Sequence, residues 1–275
     1  MATKKSASTV KKKPVAKKAS APVAKTTTKV TTVRAAAAPR RRVAFSFSSS
    51  PVLAASIAEF VGTFLLTAVV LSSQGSAIVV FFALMAIVLA VGAISGAYVN
   101  PLLTVGAWAT RRLSNVRAAS YLVAQVLGAM MALVVVNGFV SAAPQVSQQS
   151  AMFGQQSATL FKASALVEGK EWYVLAAELL GATIFAFAVA AAARETSRTA
   201  KAFGVAGGLL VALVVATYCV STIGMGGAIL NPAVAGAVQA LAWKVWPIMI
   251  YVVTPLIGGI LGFMLHDMIS EESRV

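Results

Sequence analysis

Long apolar runs alternate with short polar segments along most of the chain. Each run has about 18–22 residues, which suffices for a helix rising about 1.5 Å per residue to cross a hydrocarbon core of roughly 30 Å. Glu59 and Glu178 are the only charged residues deep within the runs. The pattern predicts an all-α membrane protein with six transmembrane helices, at approximately 52–71, 77–94, 119–140, 172–193, 203–223 and 246–265.

The second half of the chain repeats the first. The segments AEFVG (58–62) and SGAYVNP (95–101) recur as AELLG (177–181) and GGAILNP (226–232). Three spans per half is an odd number, so the second copy enters the membrane upside down, as in an inverted-topology repeat. Tyr and Gly positions of the third span also recur, and the two repeats cover about 51–140 and 172–268.

An Asn-Pro pair follows the second span of each half. Asn100-Pro101 and Asn231-Pro232 are each followed by about nine apolar residues, and Pro is well suited to the first position of a helix. Nine residues give roughly 14 Å, about half of the hydrocarbon thickness. We therefore expect two half-helices that enter from opposite sides and meet at their N-termini, with the Asn side chains as caps. The positive ends of both helices would repel cations and protons, while the Asn amides offer donors to a neutral guest.

Charge is concentrated at the N-terminus. Residues 1–42 contain 13 of the 23 basic residues and no acidic residue, whereas the rest of the chain has ten basic and eight acidic residues. This composition predicts a disordered basic tail over residues 1–50, followed by a membrane domain over 51–270. We interpret the tail as a cytoplasmic arm that contacts anionic lipid. A transit peptide is an alternative, and a nucleic-acid partner is not expected for a protein with several spans.

The remaining basic residues predict the orientation. Seven of the ten fall on the side of the basic tail, which by the positive-inside rule places both termini in the cytoplasm. The cytoplasmic set is Arg111, Arg112, Arg117, Arg194, Arg198, Lys201 and Arg274, and the opposite set is Lys162, Lys170 and Lys244.

Residue counts argue against an enzyme. Cys219 is the only cysteine and His266 the only histidine, which excludes an internal disulfide framework and removes most acid–base and triad designs. No cofactor is expected. His266 and Asp267 are interpreted as a solvated pair at the end of the last span rather than a pH gate.

Several motifs together resemble the aquaporin or major intrinsic protein family, from about residue 54 to residue 268. They are the AEFVGTF and AELLGATIF segments, the boxes SGAYVNPLLT and GGAILNPAVA, and the YLVAQVLG and YVVTPLIGG spans. The resemblance implies an aquaporin-like fold, passive permeation of water and other small neutral solutes, and a homotetramer with one pore per subunit. It implies a pore motif of Asn100, Pro101, Leu102, Asn231, Pro232 and Ala233.

The resemblance also implies roles for the membrane carboxylates and for a selectivity filter. Glu59 and Glu178 would accept hydrogen bonds from the pore-loop backbone; the alternative is a proton relay. The four filter positions of the family fall on Val80, Cys219, Ala228 and Val234.

This chain departs from the family pattern at three positions. Val234 stands where most members have arginine, and Leu102 stands where they have alanine. Ala235 stands where glycerol-conducting members have aspartate. The missing arginine predicts an apolar filter that is wider than a strict water filter, and together with Leu102 and the basic character of the chain it resembles the small basic intrinsic proteins. Ala235 weakens a prediction of glycerol permeation. Two alternatives to a channel stay open: a secondary transporter with broken helices, and a non-conducting scaffold of the same fold.

Overall fold

The protein is described by a computed structural model that covers residues 51–144, 147–154, 156–242 and 244–272. The predicted basic tail over residues 1–50, its contact with anionic lipid, and Arg274 lie outside the described residues. The helices, in chain order, are α1 (Pro51–Ser72), α2 (Ala77–Ser95), α3 (Pro101–Ala109), α4 (Asn115–Ala142), α5 (Gln148–Met152), α6 (Glu171–Ala192), α7 (Arg198–Ser221), α8 (Pro232–Ala237), α9 (Val245–Ile248) and α10 (Thr254–Glu272).

Six helical segments in the described part of the chain are long and apolar enough to cross a membrane, which confirms the predicted all-α fold. Two of them begin earlier than their apolar runs. The Ser114 hydroxyl accepts from the Arg117 N–H at the start of α4, and the Ser197 hydroxyl accepts from the Ala200 N–H at the start of α7. Because a serine cap stabilises a polar first turn, these helices extend beyond the apolar residues that predicted them.

The spans pack as two similar groups. Helix α1 contacts α2 and α4, and helix α6 contacts α7 and α10, while α2 and α7 join the groups. Close approaches in both groups occur at matching glycines. A Cβ at Gly128 would lie 2.4 Å from the Phe60 carbonyl oxygen, and a Cβ at Gly258 would lie 3.0 Å from the Leu179 carbonyl oxygen. Glycine therefore allows backbone-to-backbone packing of the first and third spans in each half.

The two predicted half-helices are α3 and α8. Helix α3 has nine residues, as expected, whereas α8 has six and ends before the predicted nine. The Val238 carbonyl accepts the Ala163 N–H at 2.9 Å, and Gln239 has a left-handed φ of 62°. Helix α8 therefore ends at Ala237, because the Val238 carbonyl bonds to the long loop and Gln239 lies outside helical geometry.

The last span is interrupted in a way that the sequence did not predict. Between α9 and α10, residues Met249–Val253 form a π-helical turn, in which the Thr254 N–H donates to the Met249 carbonyl. The cause is Pro255, which has no N–H to donate to the Tyr251 carbonyl and whose ring would clash with it. Gln125 occupies the matching position in α4, which continues as a regular helix.

The two ends of the bundle differ in composition. One end, named here the arginine end, holds the turns that contain Arg111, Arg112 and Arg194, together with the start of α7. The other, named the long-loop end, holds the turn between α1 and α2 and the described residues between 143 and 170. This segment is attached there because the Phe161 N–H donates to the Leu71 carbonyl at 3.0 Å.

Candidate functional site

The two half-helices meet at Asn100 and Asn231. Each side-chain oxygen caps its own helix: Oδ1 of Asn100 accepts from the Leu102 N–H at 3.0 Å, and Oδ1 of Asn231 accepts from the Ala233 N–H at 3.1 Å. Each side-chain amide donates to the loop that precedes the other half-helix. Nδ2 of Asn100 lies 2.8 Å from the Leu230 carbonyl oxygen.

The second cross-link mirrors the first, since Nδ2 of Asn231 lies 3.3 Å from the Val99 carbonyl oxygen. Val99 and Leu230 are the residues that directly precede the two asparagines. Each Asn amide carries two N–H groups, so one donor per side chain remains for a guest. The sequence predicted the asparagines but not the reciprocal bond between the loops, because that bond depends on the distance between the halves.

The backbone before each Asn is held in an unfavourable conformation. Val99 has φ of 42° and Leu230 has φ of 54°, both in the left-handed region that L-residues with side chains rarely adopt. Such a residue costs about 1–3 kcal/mol and persists only where its surroundings fix it. As a result, the backbone carbonyls of the two loops are not arranged as in a regular helix or strand.

Glu59 fixes the first loop. Its Oε1 accepts from the Tyr98 N–H at 2.9 Å and its Oε2 from the Val99 N–H at 2.6 Å. Oε2 also accepts from Nε2 of Gln125 at 2.8 Å, and Gln125 in turn contacts Thr104. Glu59 is fully buried, so these donors replace the water that the carboxylate loses.

Glu178 fixes the second loop in the same way. Its carboxylate oxygens accept from the N–H groups of Ile229 and Leu230, at 2.7 and 3.0 Å. The hydroxyl of Thr217 accepts from the N–H of Ala228 at 3.1 Å, one residue earlier in the loop. Each carboxylate thus binds the two amides that precede an Asn, and neither glutamate lines a described cavity.

A cavity of about 560 Å³ extends from the long-loop end to the two asparagines. Most of its wall is aliphatic or aromatic, and none of its described lining residues is charged at neutral pH. Three of the four predicted filter residues line it: Val80, Ala228 and Val234. Val234 also packs against Leu71 and Val238, so an apolar side chain occupies the position where most family members have arginine.

The fourth filter prediction, Cys219, is wrong about position. Cys219 is exposed and does not line the cavity, whereas Leu213 and Thr217 of the same helix do. Successive residues of an α-helix are about 100° apart, so a residue two positions from Thr217 faces nearly the opposite direction. Thr217 was missed because α7 is apolar on all sides, and its apolar pattern did not indicate which face lines the pore.

A second cavity, of about 240 Å³, lies at the arginine end. Tyr98, two residues before Asn100, lines both cavities, so they adjoin at the first pore loop. The wall of the smaller cavity also contains Arg112, Lys201 and Phe263. The wall of the larger cavity contains the Asn pair and the smaller cavity lies at the arginine end, so the two line a candidate route between the ends of the bundle.

The remaining motif residues, Pro101, Leu102, Pro232 and Ala233, are buried without lining either cavity. Leu102 is fully buried within the main hydrophobic cluster. Its backbone packs tightly on α10, where a Cβ at Gly259 would lie 2.2 Å from the Leu102 carbonyl oxygen. Leucine in place of the usual alanine therefore fills the protein interior and does not narrow the route.

His266 is not a solvated residue, contrary to the sequence interpretation. It is only 5% exposed and packs edge-on against Phe187, with ring centroids 5.5 Å apart. Its ring nitrogens lie 3.3 Å from an Asp267 carboxylate oxygen and 3.4 Å from the Ser270 hydroxyl. Asp267 also pairs with Arg112. Burial follows from the packing of α10 on α6, a contact between distant parts of the chain.

Comparison of the structure with solved proteins supports the same architecture. The aquaglyceroporin of Plasmodium falciparum superposes with a TM-score of 0.61 at 16% sequence identity, covering 78% of this chain and 96% of that one. At this identity the similarity concerns the fold.

Sequence comparisons agree. The aquaporin AqpM of Methanothermobacter marburgensis is 27% identical over 203 residues, covering 70% of this chain and 74% of the relative. The glycerol uptake facilitator protein-like 6 of Lactiplantibacillus plantarum is 29% identical over 227 residues, covering 78% and 98%. Aquaporin-1 of Canis lupus familiaris is 30% identical over 179 residues, covering 65% and 60%. A sequence model described as "Major intrinsic protein" matches residues 46–266, and the chain belongs to that family.

Proposed function

We propose that the protein is a membrane channel for passive, bidirectional permeation of water and other small neutral solutes that excludes protons and ions. One observation carries the proposal: a cavity from each end of the bundle reaches the pore loops, and the wall of the larger one contains both half-helix caps, Asn100 and Asn231. A route that crosses an apolar bundle at two converging helix dipoles suits an uncharged guest and opposes a positive one.

The chemistry at the centre of the route comes from the loops. Asn100 and Asn231 each offer one amide N–H to a passing molecule, because the other is bonded to the opposite loop. The pore loops are irregular backbone at membrane depth, which is tolerated where it lines a wet cavity. We infer that Glu59 and Glu178 are positioning residues that hold these loops, and that water passes along loop carbonyls without contacting either carboxylate.

The side chains that line the larger cavity determine, in this proposal, which solutes permeate. Val80, Ala228 and Val234, joined by Thr217, form the selectivity region in this proposal. Replacement of a filter arginine by Val234 removes a charge and five N–H donors, which leaves a wider and more apolar opening. Some relatives are named as aquaporins and one as a glycerol uptake facilitator, so we expect the permeants to range in size from water to glycerol. In this proposal water permeates, and urea and glycerol are the larger solutes whose permeation remains to be measured.

The arrangement in the membrane follows from the basic residues. We propose that the arginine end faces the cytoplasm, with both termini on that side and the basic tail against anionic lipid. We further propose a homotetramer with one route per subunit, as the family resemblance implies.

A secondary transporter is the second candidate, because intramembrane carboxylates often couple transport to ions. It is disfavoured here because Glu59 and Glu178 bind loop amides and line neither cavity. A non-conducting scaffold is disfavoured because Leu102 does not obstruct the route.

Osmotic shrinkage of proteoliposomes tests the proposal. Reconstituted protein should accelerate shrinkage over empty liposomes with a low activation energy, and solute gradients of hydrogen peroxide, urea and glycerol should define the range. A rate equal to that of empty liposomes would contradict the channel. Accumulation of a solute against its gradient, driven by an ion gradient, would favour the transporter.

A further inference from the structure

Positive charge is distributed unequally along the route. The larger cavity has no charged side chain in its described lining, whereas the described lining of the smaller cavity contains both Arg112 and Lys201 and no acidic residue. The mouth at the long-loop end has Val234 where most family members have arginine. The charged side chains that line the route are therefore at the arginine end.

Arg112 is held in a fixed orientation. Its guanidinium forms an ion pair with Asp267 and lies 4.9 Å above the ring of Phe263, which is itself in the cavity wall. The turn after α3 sets this direction, since Arg111 has a left-handed φ of 60° and the Arg112 N–H donates to the Ala107 carbonyl at 2.7 Å. As a result Arg112 lies in the cavity wall, while the neighbouring Arg111 lies outside the lining.

Lys201 reaches the same cavity from α7. Its side chain is half-buried, and its ammonium group forms no ion pair with a described residue. Asp267 offsets part of the charge of Arg112 but is not in the cavity wall. Lys201 therefore contributes the uncompensated positive charge of this cavity, and Arg112 a fixed but partly neutralised one.

We propose that Arg112 and Lys201 form an electrostatic barrier that keeps cations out of the pore from the arginine end. The inference rests on the proposed channel function and names residues that add to the barrier of the helix dipoles. A unit charge about 10 Å from a cation, at an effective dielectric constant of about 20, changes the cation's local concentration on the order of tenfold. A neutral solute does not respond to this field, so the barrier separates ions from neutral solutes without narrowing the route.

The test compares cation leak with water permeability in the same proteoliposomes. Full-length protein is reconstituted as wild type, Lys201→Gln, Arg112→Gln and the double variant, and rubidium efflux is divided by osmotic water permeability. We expect this ratio to rise about tenfold in Lys201→Gln, less in Arg112→Gln, and most in the double variant. Lys201→Glu should raise it further, and Lys201→Arg should keep the wild-type ratio.

Arg111→Gln is the matched control, because it removes the same charge from the adjacent residue, which lies outside the cavity wall. Its ratio should equal that of wild type. A ratio that stays at the wild-type value in both Lys201→Gln and Lys201→Glu would overturn the inference. An equal rise in Arg111→Gln would also overturn it, since the effect would then belong to surface charge in general. Absence of water permeability in wild type would contradict the channel itself, a separate outcome.

Discussion

Thr217 and Cys219 are two residues apart in α7, yet only Thr217 lies against the larger cavity. The Thr217 hydroxyl accepts from the N–H of Ala228, a pore-loop residue in the same wall. Cys219 is exposed on the other side of the helix. The contrast identifies the rotation of α7 about its axis and gives the only cysteine of the chain a diagnostic use.

A mercurial reagent should therefore leave water permeability of the wild-type protein unchanged. Thr217→Cys should become sensitive, because the modified sulfur would stand in the cavity wall, and loss of most of the shrinkage rate is expected. The Cys219→Ser, Thr217→Cys double variant should be equally sensitive. Strong inhibition of wild type that Cys219→Ser abolishes would mean that α7 is rotated relative to the structure.

Gly128 sets the distance between α1 and α4. In Gly128→Ala the new methyl group would lie 2.4 Å from the Phe60 carbonyl oxygen, which as backbone cannot move independently. We expect a loss of about 1–3 kcal/mol, as is usual for overpacking. Thermal unfolding in detergent measures it.

Gly138→Ala is the control on the same helix, because a Cβ there has no neighbour within 4 Å. It should be neutral or stabilising by up to about 1 kcal/mol, through helix propensity alone. Equal destabilisation by the two substitutions would contradict the close helix approach.

Glu178 holds the second pore loop with two hydrogen bonds. Glu178→Gln replaces one acceptor oxygen by an NH2 group that faces a backbone N–H donor. Since a buried donor is then left without an acceptor, we expect a loss of about 2–4 kcal/mol and a lower water permeability. Circular dichroism on heating and the shrinkage rate measure the two effects.

The exposed Glu195 provides the comparison, since Glu195→Gln makes the same chemical change at the protein surface. It should alter neither measurement. If Glu178→Gln were as stable and as permeable as Glu195→Gln, the carboxylate would not be needed to position the loop.

Val234 controls the width of the filter in the proposed function. Val234→Arg places five N–H donors and a charge in the wall of the larger cavity, so glycerol permeability should fall severalfold more than water permeability. Val234→Met adds length without charge, so it separates the effect of side-chain size from the effect of charge and N–H donors. Parallel loss of water and glycerol permeability in Val234→Arg would indicate simple obstruction instead of selection.

Much of this architecture was predictable because it follows from local properties of the sequence. Span number depends on the length of apolar runs, and the inverted arrangement depends on the recurrence of AEFVG and SGAYVNP in the second half. The meeting of Asn100 and Asn231 follows from that symmetry. These inferences require no knowledge of which side chains touch.

The remaining features depend on contacts between distant residues. Helix α8 ends early because the Val238 carbonyl bonds to Ala163, about 75 residues earlier in the chain. His266 is buried because Phe187 of another span packs against it. Cys219 was placed in the filter by a residue count, and an error of two positions reverses the direction of a side chain on a helix.

The burial of Leu102 bears on how such channels are recognised. Its side chain lies in the protein interior while Asn100, two residues earlier, reaches the route, so the third letter of the motif is under a packing constraint and not a permeation constraint. We therefore expect substitutions at this position to act through the packing of α3 on α10 and not through the route. Genome searches that require the full Asn-Pro-Ala string in both halves would overlook proteins of this kind, whereas a search for two inverted Asn-Pro pairs with their paired glutamates would recover them.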